Sequence, residues 1–245
     1  MYIKHIFASF LFILATEMIY AQVDFNTRAY TTVLSTQTME PRLVEIIDGV
    51  ATYHYSLNTS NLNGSPYLWE EFVPGALTVR DGTRIEGLKI RYDIYADQMQ
   101  FILKSDTASI NRPMALRSLE LKDKKFIYEV YQVSENVVSA GYFELLIDGS
   151  LSLLLRRELK LEYDVYVPHY GGGGGTKEFK LKKDDSFYTI TGKSTARKIY
   201  NRKDFLNAIT QHHDKVRSYM KENRISVRKQ KDLEELVNYY NTLSL

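Results

Sequence analysis

Gly192-Lys193-Ser194, followed by Thr195, matches the last three positions of a phosphate-gripping loop. Such a loop needs a glycine, four residues, then Gly-Lys-Ser or Gly-Lys-Thr, between a buried parallel strand and a helix. Phe187 stands where the first glycine belongs, and the preceding residues read as a hairpin, so a turn at Thr191-Gly192 is expected and nucleotide is not. The five histidines are His5, His54, His169, His212 and His213. A helical zinc site wants ligands at i and i+4, whereas adjacent histidines diverge by about 100°. His212-His213 therefore reads as a surface pair near a helix terminus, at the end where cations are favoured. Cysteine is absent, which removes thiol nucleophiles and disulfides, and no GxSxG elbow occurs. Glu70-Glu71 and Asp184-Asp185 are paired carboxylates, but neighbours along a strand face opposite ways. Asp184-Asp185 reads as a solvated turn. A hydrolase would have to assemble residues remote in sequence, such as His169 or His54 with Glu70 or Glu144.

Two other groups could bind. Tyr67, Trp69 and Phe72, with Pro66 and Pro74, lie in "GSPYLWEEFVPG" around the single tryptophan. They either line a groove or plug the end of a sheet. From Lys193 to Leu245 there are twelve Lys or Arg against six Asp or Glu, on a chain whose overall net charge is only +2. That basic tail either docks on an anionic polymer, lipopolysaccharide or an acidic protein, or is a solvated helix exterior. The candidate interaction surface is Tyr67, Trp69 and Phe72 together with Lys198, Arg202 and Lys203. No cofactor, metal or nucleic acid is expected. Asp106-Thr107-Ala108 and Asn58-Thr59-Ser60 are short matches to glycosylation patterns.

The elements that must carry these residues are mostly strands. Nineteen tyrosines and eleven phenylalanines, with many Val, Ile and Thr, favour a sheet. In "ALTVRDGTRIEGLKIRYDIYADQMQFIL" apolar residues alternate around Asp81-Gly82 and again around Ala96-Asp97, which makes a three-stranded meander. Further reversals are expected at Asp123-Lys124, Asp148-Gly149 and Asp184-Asp185. Leu151, Leu153 and Leu155 share a face of a central strand, with Arg156 and Arg157 as its solvated end. The five glycines 171–175 form a connector without side chains to pack. From Asn201 the period changes to that of helices, with Phe205, Leu206 and Ile209 on one stripe, then Val216, Tyr219 and Met220, then Leu233, Leu236, Val237, Tyr240 and Leu243.

The expected fold is thus α+β: a curved antiparallel β-meander, half-barrel or sandwich-like, followed by two to three helices. Residues 1–21 carry an early lysine, an apolar run and a small residue at Ala21, the pattern of a secretory signal peptide. Residues 22–70 are an extended segment and aromatic lead-in, 71–192 the β domain, and 193–245 a basic helical tail packed on the sheet. No transmembrane segment is expected in the mature chain, which is placed in the periplasm or outside the cell.

"GSPYLWEEFVPGALTVRDGTRIEGLKIRYDIYADQMQF", "GYFELLIDGSLSLLLRR" and "KDFLNAITQHHDKVRSYMKENRISVRKQKDLEELVNYYNTL" form an ordered set. This set resembles an uncharacterised family of exported proteins from Bacteroidetes-type bacteria, over roughly Gly64 to Leu243. The resemblance implies a Gram-negative envelope location and carries no activity or site residue. Three functions remain open. The first is a non-enzymatic binding or structural module of the envelope, contacting an envelope protein or anionic polymer. The second is a carrier whose half-open sheet holds a lipid or other apolar ligand between Tyr92, Phe101, Phe126, Tyr128 and Phe143. The third is a hydrolase.

Overall fold

Residues 62–103, 106–163 and 179–244 are described by a computed structural model. The expected signal peptide at residues 1–21, His54, His169, the Asn58-Thr59-Ser60 pattern and the glycines 171–175 lie outside the described residues. The strands are β1 (Leu62–Asn63), β2 (Val73–Val79), β3 (Arg84–Asp93), β4 (Gln98–Leu103), β5 (Asp106–Ser109), β6 (Leu116–Leu121), β7 (Lys124–Ser134), β8 (Val137–Ile147), β9 (Ser152–Arg156), β10 (Leu159–Tyr163), β11 (Phe179–Lys183), β12 (Ser186–Ile190) and β13 (Arg197–Lys198). Three helices follow: α1 (Arg202–Ala208), α2 (His213–Glu222) and α3 (Gln230–Leu243). Ten strands form one curled antiparallel sheet in the order β13-β12-β9-β8-β7-β6-β2-β3-β4-β5, and β1-β11-β10 form a small second sheet. The architecture is the expected α+β half-barrel with a helical tail.

Turn chemistry explains the meander. Gly82 (φ +95°) closes β2–β3, and Asp97 (φ +52°) closes β3–β4; both conformations are ones that Gly, Asn and Asp tolerate best. The β6–β7 reversal sits at Lys122-Asp123, one residue before its expected place, with Lys122 in the left-handed region (φ +54°). Asp184-Asp185 is not a hairpin turn. Arg156 pairs with Ser186 and Leu159 pairs with Lys183, so one antiparallel register continues through the corner from the large sheet into the small one. The two arms bend together there, and Asp184 N–H donates to the Glu158 carbonyl at 2.9 Å. A local acidic pair marks a bend as readily as a turn, and only the pairing partner separates the two.

The sheet also meets itself. Ala196 forms a parallel bridge to Tyr131, donating its N–H to Val130 O and accepting from Gln132 N–H, both at 2.9 Å. This bridge returns β13 to β7 and closes β7-β8-β9-β12-β13 around Tyr131, Phe143, Leu154, Tyr188, Ile190 and Ala196. On the other face Leu151 and Leu153 pack under the helices, against Phe205, Val216, Met220, Leu233, Leu236 and Val237. All five residues of β9 are buried, because both faces of the strand are covered.

The helices start and dock through identifiable groups. Asn201 Oδ1 accepts from Lys203 N–H (2.8 Å) and Asp204 N–H (3.2 Å), while Asp204 Oδ2 accepts from Asn201 N–H (3.0 Å). This reciprocal box satisfies donors that the first turn of α1 would otherwise leave orphaned. Asn241 on α3 accepts from Leu151 N–H (2.9 Å) and Ser150 Oγ–H (2.7 Å) and donates to Leu151 O (3.0 Å), which fastens α3 to the Asp148-Gly149 turn. A Cβ at Gly149 would collide with that amide.

Candidate interaction surface

The aromatic lead-in runs along the end of β3. Leu68 N–H donates to Tyr92 O (3.0 Å) and Ile94 N–H to Pro66 O (2.8 Å). The guanidinium of Arg91 lies 3.7 Å from the centre of the Tyr67 ring and 4.4 Å from that of Phe72, and it also donates to Glu70 O and Gln100 Oε1. Trp69 lies under Lys122 Nζ at 4.7 Å. Tyr67, Trp69 and Phe72 are therefore brought to one end of the sheet, each ring half-buried and engaged by a cation of the chain itself. Of the two readings left open, this geometry is the aromatic plug. An arginine between two rings gains cation–π attraction and keeps its aliphatic stem dry.

Lys198, Arg202 and Lys203 stand at the other end of the strand order. Lys198 Nζ lies 5.0 Å from the Tyr200 ring, whose residue is 61 % exposed. Arg202 donates from Nη2 to Ile225 O at 2.9 Å, which sets the start of α1 against the α2–α3 connector. That connector contributes Arg224, Arg228 and Lys229, all exposed, and Lys203 is exposed on α1. Arg224 occupies the left-handed position that ends α2 (φ +52°), where glycine would be less strained. Ile225 N–H bonds back to Met220 O at 3.0 Å across it. Among the described residues no carboxylate forms an ion pair with Lys198, Arg202, Lys203, Arg224, Arg228 or Lys229. The structure thus separates the six residues of the candidate surface into an internally satisfied aromatic half and a cationic half. Tyr200, Arg224 and Arg228 join the latter. Sequence spacing counts their charge but cannot place α1 beside the connector.

Arg156 corrects the expectation of a solvated strand end. Its side chain is 8 % exposed and is held by Asp97 Oδ2 (3.1 and 3.2 Å), Glu158 Oε1 (3.0 Å) and Tyr142 O (3.3 Å), over the rings of Tyr131 (4.6 Å) and Phe143. Asp97 Oδ1 accepts from Tyr92 Oη–H at 2.7 Å and from Tyr142 N–H at 3.4 Å. After Leu155 the chain leaves β8, and these two side chains take the amide and carbonyl of Tyr142 in place of a strand neighbour. Gly141 allows this approach, since a Cβ there would overlap Arg156 Nη1 and crowd Asp97 Oδ2. Burial works against the charge of Arg156, but Asp97 together with Tyr131, Tyr92 and Glu158 outweighs it and holds the guanidinium above its ordinary range. Burial, and then the Asp97 carboxylate, push the Tyr92 and Tyr142 phenols well above the ordinary tyrosine range. Arg157 is likewise not solvated, being paired with Glu144 and with Asp185 (3.3 Å).

The remaining candidates fare as follows. Glu144, a candidate hydrolase carboxylate, is buried between Lys124 Nζ (2.6 Å) and Arg157. Glu70 is exposed. Of the rings that the carrier reading would place around an apolar ligand, Tyr92, Phe101, Phe126 and Phe143 are at most 2 % exposed and Tyr128 is half-buried, and Tyr92 meets Phe126 and Tyr142 edge-on at 5.5 and 5.9 Å. The alternation of β8 also sends Tyr142 and Phe143 to opposite faces, so the five rings do not share one lining. Among the described residues, one open hollow of about 340 Å³ lies beside Tyr219 and Tyr239, and another of the same size lies between the Asp148-Gly149 turn and Asn238 and Asn241 of α3. His212 and His213 stand at the N-terminus of α2, not at a C-terminus, so the helix dipole opposes a cation there. Gly192 (φ +57°) sits in the turn from β12 to β13, with no phosphate-loop geometry. No helix among the described residues is long and apolar enough to cross a membrane.

No protein-family model matches this chain, and no curated protein or solved structure is significantly similar to it.

Proposed function

We propose that the protein is a non-enzymatic binding module of the bacterial cell envelope that holds an anionic envelope component against the cationic face of β13, α1 and the α2–α3 connector. The export, the envelope location and the family resemblance inferred from the sequence are parts of the same proposal. One observation carries it: the Arg202–Ile225 bond sets the start of α1, with exposed Lys203, against the connector that bears exposed Arg224 and Arg228, while Lys198 lies against exposed Tyr200 just before α1, and no carboxylate is ion-paired to these cations among the described residues. Such a concentration of cations on a chain of net charge +2 is a local field, not a general one. By contrast, Arg156, Arg157 and Glu144 are already committed to ion pairs, and the rings named for an apolar ligand are packed against neighbouring side chains. Both facts favour a surface function over a cleft or a cargo space.

The test is titration of the protein with a soluble anionic polysaccharide, with neutral dextran as the control, at several salt concentrations. Binding should fall linearly with the logarithm of salt, as expected when cations release condensed counterions. The Lys198→Glu/Lys203→Glu/Arg224→Glu variant should bind at least about tenfold more weakly, because charge reversal turns attraction into repulsion at three points of one face. Equal affinity of variant and parent, or equal binding of dextran, refutes the reading.

A further inference from the structure

The most exposed apolar side chains of the described residues are not scattered. Six large ones stand out in solvent, and four of them are Val133 (53 %), Val137 (52 %), Val138 (58 %) and Tyr200 (61 %). The three valines crown the β7–β8 hairpin, where residues 133–139 are all exposed. The register shifts between Gln132 and Ser134, which leaves Val133 as a bulged residue beside the turn.

The bridge between Ala196 and Tyr131 is parallel. Two residues beyond it, one strand reaches Val133 and the other reaches Lys198, travelling in the same direction. At about 3.3 Å per residue both lie some 7 Å past the bridge, at the same end of the closed strands. The apolar tip therefore neighbours Arg197, which is exposed, and Lys198 with Tyr200 against it. Arg202 and Lys203 follow directly in the chain.

We propose that this end of the molecule docks on an anionic lipid bilayer, with the valine tip entering the interface and the adjoining cations meeting headgroup phosphates. The inference deepens the reading above, on which it rests, by naming the anionic component as a lipid surface. Three observations support a bilayer over a soluble polyanion. A polyanion offers valine nothing, whereas acyl chains take apolar side chains flanked by Lys, Arg and Tyr, the composition of interfacial anchors. Secondly, the turn is prepared for loss of water: the Gln132 side-chain amide donates to both Ser134 O and Glu135 O at 2.9 Å, so two carbonyls that water would otherwise hold are already bonded. Thirdly, the tip is a two-stranded projection, which reaches a flat surface without rearrangement of the core. Glu135 is the one acid in the tip and opposes docking, which supplies a test of sign.

The experiment uses the full chain with vesicles of phosphatidylglycerol and phosphatidylethanolamine, and with phosphatidylcholine vesicles as the neutral arm. In the Val138→Trp variant, indole fluorescence should shift to the blue and be quenched by brominated acyl chains in anionic vesicles only; Trp69 in the parent reports the background. Val137→Ser/Val138→Ser should weaken association with anionic vesicles about tenfold, and Glu135→Gln should strengthen it severalfold. Because these residues are exposed, the variants should keep the parent's urea midpoint. An introduced indole that stays unquenched in the Val138→Trp variant, with serine variants that bind as the parent does, overturns the inference. If the charge-reversal variant still loses its affinity for soluble polysaccharide, the broader reading stands without the bilayer. If it does not, both fall.

Discussion

Replacing Asp97 by asparagine removes one charge from the β3–β4 turn while keeping an oxygen that Tyr92 can donate to. In the parent, Asp97 gives Arg156 two hydrogen bonds' worth of acceptor and takes two more from Tyr92 and Tyr142. Loss of one partner of a buried ion pair costs about 3–5 kcal/mol, because the other charge is left in a poorly solvated site. Two features reduce that figure here. The Asp97 side chain keeps 23 % of its exposure, and Glu158 still pairs with Arg156. We therefore expect about 2–3 kcal/mol, or roughly 4–12 °C in melting temperature for a domain of this size. The control is Glu120→Gln, which breaks the exposed pair to Arg84, a two-pronged contact of 2.7 and 2.8 Å. Water and salt screen such a pair, so its loss should move the urea midpoint little. Urea unfolding of both variants on the full chain, followed by a double-mutant cycle of Asp97→Asn with Arg156→Gln, measures the difference. A coupling of at least about 1 kcal/mol is expected for groups in one network. If Asp97→Asn shifts the urea midpoint no further than Glu120→Gln, the seam does not hold the curled sheet and the argument fails.

Asn241→Ala should cost about 1–3 kcal/mol, since Leu151 N–H and O lose their partner where they are only partly hydrated; hydrogen exchange should show faster exchange in α3 than in β7 and β8, and uniform protection would contradict its role as the latch. The folded pKa values of Tyr92 and Tyr142 are raised above the unfolded value near 10. Their contribution is thus fully present below about pH 10 and is lost above it, as the unfolded chain deprotonates first. Urea midpoints should fall between about pH 10 and 11.5, and a flat profile there would show that the phenols are not kept neutral by burial.

Much of the β architecture is legible in the sequence because strand periodicity and turn chemistry are local. The Asp81-Gly82 and Ala96-Asp97 reversals, the Asn201 cap and the three helical stripes all depend on residues within a few positions of one another. The Asp184-Asp185 corner deceives for the same reason. Its residues look like a turn, and only the shared register of Arg156 with Ser186 and Leu159 with Lys183 shows a bend. Arg156 and Arg157 look solvated because two arginines after a leucine run resemble a strand end. Their partners Asp97 and Glu144 lie far along the chain, and no local pattern announces them. The cationic surface is visible as composition, yet the connector arginines that complete it are placed beside α1 only by the Arg202–Ile225 contact.

Read alone, the order of residues determined most of the hairpins, the change to helix at Asn201, and the absence of any thiol. The way the sheet curls was decided by tertiary structure: the Ala196–Tyr131 bridge, the Asp97–Arg156 seam and the docking of α3 through Asn241 each join groups remote in the chain. Closing such contacts costs loop entropy that no short stretch can offset, so they form only when the whole fold supports them. The burial of Arg156 and the gathering of cations near the valine tip follow from that closure.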